Sequence, residues 1–430
     1  MAMFAAFTDE NDEFCQSLKQ YAEVRAKVDE GAENDAITEL QGILHPIMKF
    51  IHKKDRRFDD SVIPVGRHTL NMKVIENESA DFELLVPILG LPDPKWSFND
   101  RPRLYDFTNS IDGKIRLVRR HRTKPLPEPI TGQHFLWIED RTMSRSWNDW
   151  IFNRDLIPCK VKARLRELVD AAIHEGHSKG AVALLAAPKG CARLRIHFSR
   201  GAIHAVLRPT VLSEGSGFPS EVHSEWPRSH LWPQGFKVKD LRKIGTDSVA
   251  IDDLYWSQSY SQCEEFLVNS IDRDGGCRKV CLRILEKLRE EHWCPNSVGN
   301  KEPALTYYHL QTALLWQCEE WSFTVDWIRD KLPIRFISIV RRLLQWVSAR
   351  RLNHYFLSSV NLFADNNGKL KDEEGLRNVQ ESIESFVRSP HLFLSDSVPI
   401  NHDLPDILKN SSESKLKRNN DDSNVTTDPL

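Results

Sequence analysis

No apolar run in this 430-residue sequence approaches the roughly 18 residues that a membrane-spanning helix needs. The sequence also lacks G-x-x-x-x-G-K-[ST], G-x-S-x-G and a spaced Cys/His quartet. The signatures of P-loop enzymes, of nucleophile-elbow hydrolases and of zinc modules are therefore missing. Its eight cysteines, at 15, 159, 191, 263, 277, 281, 294 and 318, form no paired framework. In a chain of this size without a secretion signal they read as reduced thiols. MAMFAAF at the start is too short for a leader and runs straight into acidic TDENDEF, so an intracellular place, cytoplasmic, nuclear or both, is expected. KLKR at 415–418 is too short to choose between them. Neither charge sign dominates: 59 Lys and Arg against 61 Asp and Glu leave a net charge of −2, which does not demand nucleic acid as partner. No internal repeat is present.

What is there is ordinary in bulk and patterned in detail. The 40% apolar and 28% charged fractions suit a globular chain of one large domain or two lobes. Residues 9–55 read as one long charged helix, with Gly31 and Asn34 as points of weakness. DRRFDDSVIPVGRHTL (55–70) leads into strands near Val62–Val65, Lys73–Ile75 and Phe82–Ile88. Residues 90–133 are rich in Pro and Arg with a short strand candidate at Ile115–Val118. An amphipathic helix over 156–176 is followed by strands at 183–188, 192–198 and 202–211. SEGSGFPSE (213–221) is a loop signal, and WPRSHLWP (226–233) is expected on the surface. From about 256 the periodicity is helical, and beyond 400 the composition turns polar and should be disordered. Strands first and helices later argue for an α+β lobe followed by a helical lobe.

The sharpest local feature is Asp81-Phe82-Glu83, in DFELLVPIL (81–89). Residues two apart on a strand share a face, so both carboxylates aim together while Phe82 anchors the strand. Such a pair can grip a divalent metal for phosphoryl or nucleotidyl transfer; an acidic strand end is the plain alternative. The helix GGCRKVCLRILEKLREEH (275–292) carries Arg278, Lys279, Arg283, Lys287 and Arg289. It reads either as a solvated face or as an electropositive patch for polyphosphate or nucleic acid. Cys277 and Cys281 share its face, with His292 and Cys294 near in sequence, yet the set falls short of a four-ligand zinc site and buried thiols are preferred. Tyr308, in LTYYHLQTALLW, is either packed or offers its ring to a nucleobase. Gly66-Arg67 stands where a phosphate-binding turn would precede the acidic pair.

Together these segments resemble the Mab-21 family, whose best-known enzymatic relative is cyclic GMP–AMP synthase. The likeness is densest over 226–363, through WPRSHLWP, DRDGGCRKVCLRILEKLREEHWCP, LTYYHLQTALLWQCEEW and LNHYFLSSVNLF. It implies a two-lobed nucleotidyltransferase fold with a long N-terminal spine helix and a helical C-terminal lobe. Residues 1–55 would be the spine, 56–235 the nucleotidyltransferase-like α+β lobe, 236–400 the helical Mab-21 lobe and 401–430 a disordered tail. The enzymes' first two metal acids fall on Asp81 and Glu83, which would hold Mg²⁺ or Mn²⁺. The third falls on Val206, between His204 and Arg208, and valine cannot ligate a metal. The triphosphate-holding glycine–serine turn falls on Gly66-Arg67 and the base-stacking tyrosine on Tyr308, with Tyr307 where a serine is expected. A phosphate-contacting lysine becomes Glu286, leaving Arg283 and Lys287 nearby as nucleotide-binding candidates, and a base-reading arginine becomes Ser257.

Two functions follow from the resemblance. In the first the chain keeps the fold without transfer activity and binds a nucleotide, a nucleic acid on its basic helix surface or a protein partner, in a developmental role. In the second it is a cyclic GMP–AMP synthase-like receptor that senses double-stranded RNA or another ligand and joins NTPs. An acid such as Glu214 would then complete the metal site. Two metals and a triphosphate need three carboxylates and basic side chains in balance, so Val206, Arg67, Glu286 and Ser257 favour the first.

Overall fold

In ARLRIHF, Ala192, Leu194 and Ile196 are buried and the residues between them are not, the period of a strand with one face on a core. The same alternation runs through GAIHAVLRPTV, where Ile203, Ala205 and Leu207 turn inward. It runs through DFELLVP as well, where Phe82, Leu84 and Val86 do so. The computed structural model describes residues 12–27, 30–66, 81–91, 95–97, 105–109, 115–119, 133–137, 147–152, 155–186, 190–199, 201–212, 226–228, 231–295, 303–365 and 368–395. The strand expected at Lys73–Ile75, the loop at 213–221, the tail at 401–430, Arg67 and Glu214 lie outside them.

The architecture is α+β. Helices α1 (Asp12–Val24) and α2 (Glu30–Lys54) come first. Strands β1 (Ile63–Val65), β2 (Asp81–Pro87), β3 (Lys95–Ser97), β4 (Tyr105–Asn109), β5 (Ile115–Arg119), β6 (Gln133–Trp137), β7 (Ile151–Phe152) and β8 (Asp155–Leu156) follow. Helix α3 (Pro158–His174) opens with proline at its first position, where the missing N–H costs nothing. Then come β9 (Val182–Leu185), β10 (Ala192–Phe198), β11 (Gly201–Val211), α4 (Gly235–Ile244), β12 (Asp247–Val249) and β13 (Trp256–Ser259). The rest is helical: α5 (Ser261–Ser270), α6 (Arg278–Leu288), α7 (Tyr307–Glu320), α8 (Leu332–Ser348), α9 (Glu373–Arg388) and α10 (His391–Leu394). The main sheet runs β1-β2-β11-β12-β13-β6-β8-β7, with β10 and β9 branching from β11, and β4 and β5 pair separately.

Two hydrophobic cores organise these elements. In one, α2 and α3 cover a face of the sheet: Leu44, Ile47 and Ile51 share a cluster with Leu165 and Val169 and with Phe82, Ala205 and Leu207 of the strands. The other is helical and gathers α5 to α10.

Two expectations change here. Residues 9–55 are not one helix: α1 closes at Ala26, where Tyr21 O accepts from both Arg25 N and Ala26 N, ahead of Gly31 and Asn34. Packing decides the break, because Phe14, Leu18 and Tyr21 belong to the helical core while the apolar face of α2 belongs to the sheet. The two tryptophans of the tryptophan–proline segment are not on the surface, although Leu231 is 53% exposed. Trp226 is 1% exposed and Trp232 6%, both in the helical core against Tyr355, and both Trp–Pro bonds are cis.

Candidate functional site

A cavity of about 450 Å³ opens where the sheet meets the helical core, within the range of about 300–1,000 Å³ typical of small-molecule sites. Its sheet side is made by Val65, Gly66, Glu83, Leu85 and Val249. Val65, Leu85 and Val249 form a small apolar cluster of their own, the floor beneath the polar groups. The chain leaves β1 at Gly66 with φ +98°, a conformation that favours glycine. The helical side brings Tyr260, Ser261, Glu264 and Glu265 from the start of α5, Tyr307, Tyr308 and Gln311 from α7, then His354 and Lys371.

The start of α7 is fixed by its own sequence. Thr306 and His309 form a capping box, and the backbone N–H of Thr306 donates to His309 Nδ1 at 2.9 Å. That sets Tyr308 on the cavity side. Its hydroxyl sits in a short relay. His354 Nδ1 accepts the backbone N–H groups of Phe356 and Leu357 at 3.0 and 3.1 Å, so its proton is on Nε2. Nε2–H donates to the Tyr308 hydroxyl at 2.9 Å, and that hydroxyl donates to Glu264 Oε1 at 2.8 Å. Gln311 Nε2 approaches the other oxygen, Oε2, at 3.5 Å. Burial pushes the Glu264 carboxyl up to about 7 against the pull of the Tyr308 hydrogen bond. Burial, helped by the Arg228 charge, presses His354 down to about 3. At neutral pH His354 therefore stands neutral in the cavity wall, while Glu264 is about half ionised.

On the sheet side, β2 and β11 run parallel with His204 beside Asp81, Val206 beside Glu83 and Arg208 beside Leu85. Partners in this register share a face, so the position next to Glu83 that a third acid would fill holds an isopropyl group. Two residues on, Arg208 reaches back and its Nε forms an ion pair with Glu83 Oε1. A guanidinium thus neutralises the carboxylate that a divalent cation would need. Among the described residues no group of three or more His, Cys, Asp or Glu could hold a metal ion. Among the described side chains, Glu83 paired with Arg208 and Val206 beside it do not by themselves make up a two-metal centre. Asp81 is placed here by its backbone alone.

The cavity brings Gly66, Glu83 and Tyr308 together and leaves other candidates elsewhere. Arg283 and Lys287 do not line it. Lys287 lies 3.4 Å from Glu291, which also accepts the Tyr21 hydroxyl at 2.9 Å and Arg25 at 2.6 Å, tying α1 to the π-helical turn Arg289–Trp293. Glu286 faces no ligand: it is 3% exposed and accepts from Arg289 Nε and Nη2 at 2.9 and 3.1 Å. Arg278 pairs with Asp272 and Asp274. Much of the charge expected as an electropositive patch on this helix is therefore spent inside the protein. Cys277 and Cys281 are buried in and beside the first turn of α6, while His292 and Cys294 lie about 20 Å away at its far end by helical rise.

Glu264, Gln311, His354 and Lys371 are not picked out by spacing. A signal for Glu264 exists all the same: an acid on the Cys263/Leu267/Val268 apolar side of a helix, one turn after Tyr260.

Comparison with known proteins matches residues 277–381 to the model of the Mab-21 protein HhH/H2TH-like domain, the stretch that carries Tyr308 and His354. Protein mab-21-like 3 of Danio rerio is 27% identical over 390 residues, covering 83% of this chain and 93% of its own length. Protein mab-21-like 3 of Xenopus laevis is 29% identical over 366 residues, covering 83% of this chain and 90% of its own. These matches extend far beyond the helical core into the residues that build the sheet, and with the domain match they support the Mab-21 family as the one this chain resembles over most of its length.

Proposed function

We propose that the chain keeps a nucleotidyltransferase-like fold without transfer activity and acts by binding a nucleotide-derived ligand in the cavity. On this reading 56–235 form the nucleotidyltransferase-like lobe and 236–400 the helical lobe, with the N-terminal spine divided into α1 and α2. The observation that carries it is the Glu83–Arg208 ion pair beside Val206. Nucleotidyl transfer on this fold gains most of its rate from metal ions that offset phosphate charge. A site that has exchanged one acid for valine and engaged another with arginine gives up that stabilisation, by several orders of magnitude in rate. A protein partner, a developmental role and a place in cytoplasm or nucleus complete the proposal. Tyr308 and Glu83 in one cavity are what the synthase reading draws on.

Radiolabelled ATP, GTP, CTP and UTP with Mg²⁺ or Mn²⁺, with and without double-stranded RNA or DNA, decide between the two. No linear or cyclic product is expected. A product that vanishes in Asp81→Ala/Glu83→Ala would make the protein a synthase. The lost metal site should also be recoverable in part. Val206→Asp with Arg208→Ala frees Glu83 and supplies a neighbouring acid, so Mn²⁺ affinity measured by electron paramagnetic resonance should rise at least about tenfold. An unchanged Mn²⁺ titration would mean that Val206 and Arg208 are not what excludes the metal.

A further inference from the structure

The charge inventory of the cavity favours a narrower ligand class than nucleotides at large, an inference that rests on the reading of the cavity just given. Among the described lining residues the carboxylates are Glu83, Glu264 and Glu265, and the one cation is Lys371, an exposed side chain at the rim. Glu83 is already neutralised by Arg208. A triphosphate carries about four negative charges near neutral pH. In this cavity it would meet carboxylates at close range, with one lysine and no complete metal site to offset them.

The remaining wall is suited to an uncharged, hydrogen-bonding, planar molecule. Gln258, Ser261, Thr306 and Gln311 offer neutral donors and acceptors, and Tyr308 presents a ring whose hydroxyl is held at both sides by His354 and Glu264. Glu264 is 5% exposed and uses one oxygen for Tyr308. Its other oxygen is met by Gln311 at 3.5 Å, the outer limit of a hydrogen bond, so a carboxylate with acceptor capacity to spare stands in the wall. An amino or imino edge of a nucleobase is the complementary group.

We propose that the cavity binds a nucleoside through its base and ribose, with Glu264 accepting from the base edge, and does so without phosphates or a divalent cation. The ring of Tyr308 supports the base, and stacking of this kind is worth about 1–3 kcal/mol per base. The apolar floor of Val65, Leu85 and Val249 excludes water beneath it.

The test uses the full chain and isothermal titration with guanosine, adenosine, cytidine and uridine. Each is compared with its monophosphate and triphosphate, in Mg²⁺ and again in EDTA. At least one amino-bearing nucleoside is expected to bind about tenfold more tightly than its triphosphate, with EDTA changing its affinity less than about twofold. Glu264→Gln should weaken that nucleoside about tenfold, whereas Lys243→Glu, at an exposed position on α4 that does not line the cavity, should leave it within about twofold. Tighter binding of the triphosphate, or dependence on Mg²⁺, would overturn the nucleoside proposal while leaving nucleotide binding intact. No heat with any member of the series, on protein whose unfolding is unchanged, would overturn nucleotide binding and this proposal together.

Discussion

Acidification from about pH 7 to about pH 4.5 should remove on the order of 5 kcal/mol of stability. Three buried histidines drive the loss. Burial presses His134 and His354 down to about 3 and His309 to about 4, so each is neutral in the fold over a range where the unfolded chain binds a proton. A depressed histidine contributes stability that is present above its unfolded value of 6.5 and lost as pH falls towards the folded one. The three together lose about 8 kcal/mol by pH 4.5. Glu264 works the other way. Its carboxyl is raised to about 7 from 4.5, so the folded state takes up its proton first and gains about 3 kcal/mol over the same descent. Against a total stability of about 5–15 kcal/mol the net loss is large.

Urea midpoints at intervals across this range would show it. Glu264→Gln removes this opposing contribution, leaving that of Glu265, which burial also raises, and should steepen the decline. A midpoint that stays level between about pH 6.5 and 4.5 would mean that the histidines are not held neutral. Below that window the carboxylates take over. Arg57 holds Asp55 and Asp149 below the usual range against the upward push of burial, so their contribution is lost only at stronger acidity.

Arg289→Leu should cost about 3–5 kcal/mol, because it takes a guanidinium away from the buried carboxylate of Glu286. Arg289 is 2% exposed and Glu286 3%, so water cannot replace the lost partner. Replacing both residues by leucine should recover most of that loss, since paired desolvation is removed along with the attraction. Thermal or urea unfolding of the two variants side by side is the measurement. A double variant as unstable as the single one would show that packing around Arg289, including its contacts with Glu290 and Cys294 O, matters more than the charge pair.

The same pair shows where sequence reading stops. Glu286 looks like a phosphate-facing position that has changed sign, yet its partner is three residues away on the same helix. Strand alternation in β10, β11 and β2 was legible because period two needs no partner to be recognised. The order of strands and helices was legible for the same reason. The burial of Trp226 was not, because its partners Tyr355 and Phe356 lie more than a hundred residues later. Nor was the Glu83–Arg208 contact, which depends on the parallel register of two strands far apart in the chain. Asp81-x-Glu83 announces a metal; whether a cation of the protein's own already stands beside it is decided by a neighbouring strand. The His354–Tyr308–Glu264 relay joins three segments, and no one of them carries its signature alone.

The division of the N-terminal helices between two cores also bears on the order in which a ribosome could finish this protein. The sheet core draws on residues from Leu40 to Trp256 and can close once that stretch has emerged. Helix α1 is translated before all of it, yet its Phe14, Leu18 and Tyr21 share a core with Phe393 and Leu394, and α1 packs against α10. The earliest of these segments to appear can begin to pack once α6 has emerged but is fully covered only with the latest. During that interval the apolar side of α1 lacks part of its final cover.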